Sequence, residues 1–281
     1  MVSMNRLPRE KQIAVVKALL EGNSIRATVR MTGVAKNTIV KLLVDLGEAC
    51  AAYQDQALRG LHCQRIECDE IWSFCYAKAK NVPKELEGQF GFGDVWTWVA
   101  IDADSKLVPS WLVGDRSGAD AKVFIADLAE RLSTRVQLTT DGHRPYLEAV
   151  EGAFGSEFDY AVLQKIYGSA PGAEKRYSPP QCIGIDVHTI QGRPNAKPIS
   201  TSYVERQNLT MRMGMRRFTR LTNAFSKKAE NLAAAVSLHF MHYNFARPHM
   251  SLANPYPRTP AMAAGVTAHI WSVSEIVGLL R

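Results

Sequence analysis

The stretch "ECDEIWSF" at residues 67–74 sets the tightest condition on what this chain can fold into. Ile66, Ile71, Trp72 and Phe74 give it the character of a strand inside a sheet, yet Glu67, Asp69 and Glu70 place three carboxylates within four residues. An uncompensated buried carboxylate is strongly unfavourable, so the charge calls for an explanation. Strand alternation puts Glu67, Asp69 and Ile71 on one face and Cys68, Glu70 and Trp72 on the other. A regular strand therefore cannot turn both Asp69 and Glu70 inward, and spacing alone does not choose between them.

The surrounding pattern says what kind of sheet this strand belongs to. "RIECDEIWSFCY", "VWTWVAIDAD" and "LVPSWLVGD" are three β-rich runs in close succession, the last two separated by the turn-like "DADSK". "GADAKVFIADLAERLS" reads as a helix, "RVQLTTDG" as a short strand ending near Asp141, "RPYLEAVEGAFG" as a helix and "DYAVLQKIYG" as a fifth strand. Three strands, helix, strand, helix, strand is the order of an RNase H-like α/β fold, a mixed five-stranded sheet flanked by helices. An irregular Pro/Gly-rich insertion follows at about 168–200. It is expected to hold a short hairpin near Ile183 to Ile190, outside the central sheet. "TSYVERQNLTMRMGMRRFTRLTN" reads as one helix with Glu205 near its start, and "SKKAENLAAAVSLHFMHYNFA" as a last long helix.

Ahead of this body the pattern is all-helical. "PREKQIAVVKALLEG" carries apolar Ile13, Val16, Leu19 and Leu20 and stops at Gly22; "NSIRATVRMTGV" supplies a Ser24 cap and a second helix ending at Gly33; "AKNTIVKLLVDLGEA" supplies a third. Two short helices joined at a glycine, the second opening with Lys36, Asn37 and Thr38, fit a helix-turn-helix whose leading residues reach base edges while Lys41 sits against phosphate. The expected division is a helix-turn-helix domain at 1–50, a linker at 51–62, a catalytic domain at 63–250 and a C-terminal tail at 251–281.

Charge distribution points the same way. Residues 1–50 carry a net +4 and residues 205–228 a net +6, against +7 for all 281 residues, so the other 207 sum to about −3. Basic charge confined to two segments of a mildly acidic body is the footprint of a polyanion partner; two solvated basic faces are the plainer alternative. The five cysteines, Cys50, Cys63, Cys68, Cys75 and Cys182, are odd in number and lack paired CxxC spacing, so they read as reduced thiols. No signal-peptide pattern or long apolar run is present, which leads to an expectation of a cytoplasmic protein with no membrane partner.

Two aspartates on strands and a glutamate on a later helix can converge at one end of such a sheet, where oxygen ligands suit Mg²⁺ or Mn²⁺. Paired ions of that kind serve phosphoryl transfer. Asp102, in a turn, and Asp186, in the insertion, read as structural. His143 reads as a loop residue beside the site, and His239, His242 and His249 lack an acidic companion for a metal site.

The strings "CDEIWSF", "TTDGHRPY" and "SYVERQNLTMRMGMRRFTRLTNAFSKK" resemble the DDE motif of bacterial insertion-sequence transposases, most closely the insertion element one family. "HYNFARPHMSL" is similar to a tail shared by many transposases and integrases, and the resemblance covers roughly residues 63–260. It implies a catalytic and metal-binding triad of Asp69, Asp141 and Glu205 with two Mg²⁺ or Mn²⁺ ions. It also implies a catalytic Arg212 and DNA-binding Arg206, Arg216, Arg217 and Arg220, with Arg212, Arg216 and Arg220 along one face of the glutamate helix. The implied activity is binding of terminal inverted repeats, strand cleavage and strand transfer. The partners would be element ends and target DNA, and the protein would act as a homodimer or higher oligomer, nucleoid-associated when active. No cysteine precedes Cys50, so the zinc element often found in this family is not expected. An RNase H-like nuclease without end joining, or a DNA-binding repressor with a degenerate catalytic domain, are the alternatives.

Overall fold

A computed structural model describes residues 7–155, 158–168, 182–219 and 223–280. Three helices open the chain: α1 (Arg9–Leu20), α2 (Ile25–Thr32) and α3 (Lys36–Ala57). Ser24 caps α2, its hydroxyl accepting the Ala27 amide, and Gly33 ends the helix in the left-handed region at φ 69°, where a side chain would be strained. α3 does not stop at residue 50. It runs through most of the expected linker because nothing in "CAAYQDQA" breaks a helix and its buried face, Leu43, Leu46, Gly47, Cys50 and Gln54, continues without interruption.

That face lies on α7 (Ala229–Met241), the last long helix. Gly47 is the point of closest approach, since a Cβ there would stand 2.5 Å from Ala234. Gln54 donates to the Ser237 carbonyl across the same seam. At the end of α7 a wider turn, His242–Ala246, places Asn244 so that its side chain bonds both the amide and the carbonyl of Val108. The expected tail packs too. Its short helices α8 (Pro260–Ala263) and α9 (Val273–Val277) bury Ala261, Ile276 and Val277, and Trp271 meets Tyr53 and Phe245.

The sheet has six strands, not five, in the order β3-β2-β1-β4-β5-β6. They are β1 (Arg65–Cys75), β2 (Gly93–Asp102), β3 (Ser110–Gly114), β4 (Gln137–Thr140), β5 (Asp159–Tyr167) and β6 (Cys182–Gln191). β1, β4 and β5 are parallel to one another, while β2, β3 and β6 are antiparallel to their neighbours. β6 is the hairpin expected to lie outside the sheet. It pairs with β5 along nearly its whole length, and its exposed edge position explains why it lacks the apolar run of an interior strand. Helices α4 (Gly118–Arg131) and α5 (Pro145–Phe154) cover the sheet, with Phe124, Leu128, Tyr146 and Val150 buried. α6 (Ser202–Gly214) also packs against β1 and β2.

α6 is shorter than its sequence pattern suggests, since the chain leaves the helix at Met215. Gly22, in the α1–α2 turn, packs on the Gly214 carbonyl so closely that a Cβ there would sit 2.9 Å away, which ends the helix against the N-terminal helices. Arg216 and Arg217 lie in a separate short turn and do not continue the face of Arg212, while Arg220 falls outside the described residues. Among the described residues no helix is long and apolar enough to cross a membrane.

Candidate active site

β4 pairs with β1 only from Arg65 to Cys68. Beyond Cys68, β1 continues alone on that side and a crevice opens at the carboxyl ends of the parallel strands, the place where open α/β sheets bind ligands. Asp69 and Glu70 stand at its lip, and Asp141, the residue after β4, faces them. Oxygens of Asp69, Glu70 and Asp141 lie within 4.8 Å of one another. Asp69 and Glu70 therefore both serve the site, against the alternation argument. That argument assumes a strand flanked on both sides, whereas here the site lies beside the strand edge and side chains from either face can turn into it. The Asp69 carboxylate bends along its own strand and accepts the Glu70 amide at 2.8 Å.

Glu205 reaches the same cavity from α6. The cavity, about 900 Å³, is lined by Asp69, Glu70, Asp141, Glu205 and Arg212 together with Arg116, Lys165 and Asn208. Glu205 is not part of the tight cluster; it is paired with Lys165 of β5 at 2.5 Å and accepts a hydrogen bond from Thr201. Asn208, one turn along α6, donates to Asp69 Oδ2 at 2.9 Å. Arg212, one turn further, completes that face.

The third carboxylate of the opening stretch does other work. Glu67, 2% exposed, accepts the amides of Tyr203 and Val204 with Oε2, so a side chain from β1 caps the first turn of α6 and fixes the helix that carries Glu205. Burial nonetheless pushes its carboxyl up to about 7.

Burial and crowding perturb the crevice carboxylates even with Arg116 and Lys165 among them. Burial, reinforced by the neighbouring Asp141, pushes Asp69 up to about 7. The same two causes push Glu70 to about 7, even though Arg116 contacts it at 3.1 Å. Arg116 also stands 3.8 Å from Asp141. The buried Glu70 carboxyl has the Tyr146 hydroxyl as a neighbour, and one oxygen from each of Asp69, Glu70 and Asp141 gathers in an all-oxygen cluster. Such a donor set fits a hard divalent cation and offers nothing to a thiophilic one.

The other residues singled out from the sequence fall into place around this centre. His143 donates its amide to Asp141 and rests its ring 5.7 Å from Trp98. Asp102 accepts both the amide and the hydroxyl of Ser105 in a turn, and Asp186 pairs with His188 on β6. His239 is buried inside α7. Lys36, Asn37 and Thr38 are exposed at the start of α3, and Lys41 pairs with Asp45. Arg206 is exposed on another side of α6, near His249. Lys36, Arg216 and Arg217 line a second cleft away from the carboxylates. Arg116 and Lys165 carry no local signal in the sequence, whereas Asn208 could have been found three residues after Glu205 on the same helical face.

No protein-family model matches the chain, and no curated protein matches its sequence. Among solved structures it is similar to a Mos1 transposase paired-end complex with left transposon end, at 13% identity and a TM-score of 0.25 over 57% of this chain and 61% of that one. It is also similar to a piggyBac transposase synaptic complex with hairpin DNA, at 10% identity and a TM-score of 0.37 over 100% of this chain and 73% of that one. The chain thus spans about three fifths of the Mos1 chain. Overlaps this shallow leave the chemistry to be read from the side chains.

Proposed function

We propose that the protein is a DDE-type transposase of a bacterial insertion sequence, acting in the cytoplasm on the DNA of its own element. In this reading an RNase H-like body cleaves phosphodiester bonds at terminal inverted repeats and joins the freed 3′-hydroxyl ends to target DNA. The observation that carries it is the convergence of Asp69, Asp141 and Glu205, drawn from β1, the end of β4 and α6, into one cavity with Arg212.

Asp69, Glu70 and Asp141 would hold Mg²⁺ or Mn²⁺, with Glu205 joining once Lys165 gives way. Two ions bound there would supply activation of the attacking oxygen and stabilisation of the leaving one. Asn208 on one Asp69 oxygen and the Glu70 amide on the other fix the orientation of that carboxylate at the cavity. Arg116 and Lys165 balance the carboxylates at rest, and Arg212 is placed to hold a phosphate in line with the attacking hydroxyl. At the other end of the chain, Lys36, Asn37 and Thr38 would read base edges from the start of α3, with Lys41 and Arg206 on phosphates. A homodimer or higher oligomer would bring two ends together.

The test uses full-length protein, Mn²⁺, a plasmid and labelled duplexes that end in the inverted repeats flanking the coding sequence. Transfer of the labelled 3′ ends into the plasmid is the expected result. Hydrolysis without joining, where end binding is established, would replace this reading with the nuclease; selective end binding with neither reaction would replace it with the repressor.

A further inference from the structure

The second cleft, about 610 Å³, lies where the α1–α2 turn and the start of α3 meet the end of α6 and one side of α7. Its rim and its floor differ in chemistry. Arg26, Lys36, Arg216 and Lys227 are exposed around the rim, Arg217 is held behind them by a hydrogen bond to Ser226, and among the described residues no carboxylate lines it. The floor is apolar, with buried Leu43, Met215 and Leu238, and Phe225 stands at one side with Lys227 4.3 Å from its ring.

At the floor sits His239, 9% exposed, whose Nε2 is buried without a partner. Burial, followed by the charges of His242 and Arg247, lowers its pKa to about 3, so its ring is neutral at physiological pH and offers one donor and one acceptor. A neutral imidazole suits the polar edge of a base better than a phosphate.

A flat basic surface is enough for the outside of a duplex. A recess with a cationic rim, an apolar floor and one unsatisfied neutral polar group matches instead the three parts of a single nucleotide: phosphate, ring face and ring edge. The position agrees with this. α6 carries Glu205 in the acidic cavity and Gly214 in the cleft, nine residues or about 13 Å along one helix, the span of a few nucleotides.

We propose that this cleft is a binding site for one unpaired nucleotide of a DNA strand, a few positions from the phosphate held among the carboxylates. The inference rests on the function proposed above and adds to it a site that strips one nucleotide from its stack. Gly214 offers a way to close the site. A Cβ there would meet only His239 Cε1, at an ordinary 3.8 Å, so a larger side chain grows into the cleft without striking backbone.

The experiment measures binding of full-length protein, in chelator to prevent cleavage, to a blunt end duplex and to the same duplex with a short single-stranded extension. The extension should tighten binding about tenfold, as expected for one stacked base. Gly214→Leu should erase that advantage while leaving blunt-duplex affinity and melting temperature unchanged. Lys227→Glu, at an exposed position that does not threaten folding, should reduce it as well. An absent advantage, or one that survives both substitutions, overturns the site. Competition by free dAMP at the same concentration as the extended duplex overturns the strand reading in favour of a mononucleotide. Failure to bind either duplex overturns the proposed function and this inference with it.

Discussion

The two recesses along α6 hold their titratable groups in opposite ways. In the acidic cavity, burial and then the neighbouring Asp141 push the carboxyls of Asp69 and Glu70 up to about 7. In the basic cleft Arg26, Lys36, Arg216 and Lys227 stand in solvent around the rim, Arg217 is drawn in behind them, and His239 at the floor is held neutral. The first arrangement stores repulsion that a divalent cation would relieve; the second presents attraction for a polyanion from charges that stand mostly in solvent. Under the proposed function, gathering a nucleic acid and acting on it call for both, and the shared helix sets their distance.

The largest expected effect breaks the acidic side alone. Asp141→Asn should lower strand cleavage on the order of a thousand-fold, the equivalent of several kcal/mol of lost charge stabilisation. End binding, measured by gel shift, should not change, because the basic residues remain. Loss of binding in that variant would mean that the two regions are not separable.

Next in size is Glu67→Ala, which touches no reacting atom. Removing the cap from Tyr203 and Val204 frees the first turn of α6, and a displacement of Glu205 by about 1 Å costs on the order of a hundred-fold in rate. Glu67→Gln, which keeps an oxygen to accept the amides, should recover much of that loss. Equal activity for the alanine and wild-type proteins would show that the cap does not position the helix.

Stability against pH sharpens the contrast, since the two regions carry opposite signs. Asp69 has a folded pKa near 7, above its unfolded value of about 3.8, so its contribution is favourable below pH 4 and is lost as pH rises to about 7. Asp69→Asn should therefore raise the melting temperature at pH 8 in chelator and not at pH 4. His239 has a folded pKa near 3, below its unfolded value of about 6.5, so stability present above pH 6.5 is lost as pH falls toward 3. His239→Gln should flatten that acid slope, by up to about 1.4 kcal/mol per pH unit, without effect at pH 8. Slopes of the same sign for both variants would remove the contrast.

The smallest effect is expected at Lys41. Its charge is exposed and already engaged by Asp45 on the same helix, a pair worth about 0.3–0.5 kcal/mol. Lys41→Ala should shift the melting temperature little and lower the salt dependence of DNA binding by about one ion.

The sequence makes legible the features that depend on near neighbours. Apolar, β-rich runs mark β1, β2 and β5, Asp141 follows from where "QLTT" ends, and the Ser24 and Gly33 caps follow from local backbone chemistry. What escapes depends on distant chain. β6 joins the central sheet because β5 offers it an edge, which the extended pattern of its own residues does not reveal. The end of α6 is set by Gly22, almost two hundred residues away. Lys165 and Arg116 reach the carboxylates only through the sheet order. Glu70 looks misdirected by alternation until β4 is seen to stop at Thr140, level with Cys68.

α3 runs unbroken for 22 residues, from the exposed Lys36–Thr38 into the seam with α7. A helix of that length is a strut of about 33 Å. If its first turn reads DNA, the reader and the cutter share one stiff frame, without a tether that lets the cutter wander. The cut should then fall at one fixed offset from the sequence that is read, and lengthening the helix should move that offset as a ruler with a longer scale would, instead of blurring it.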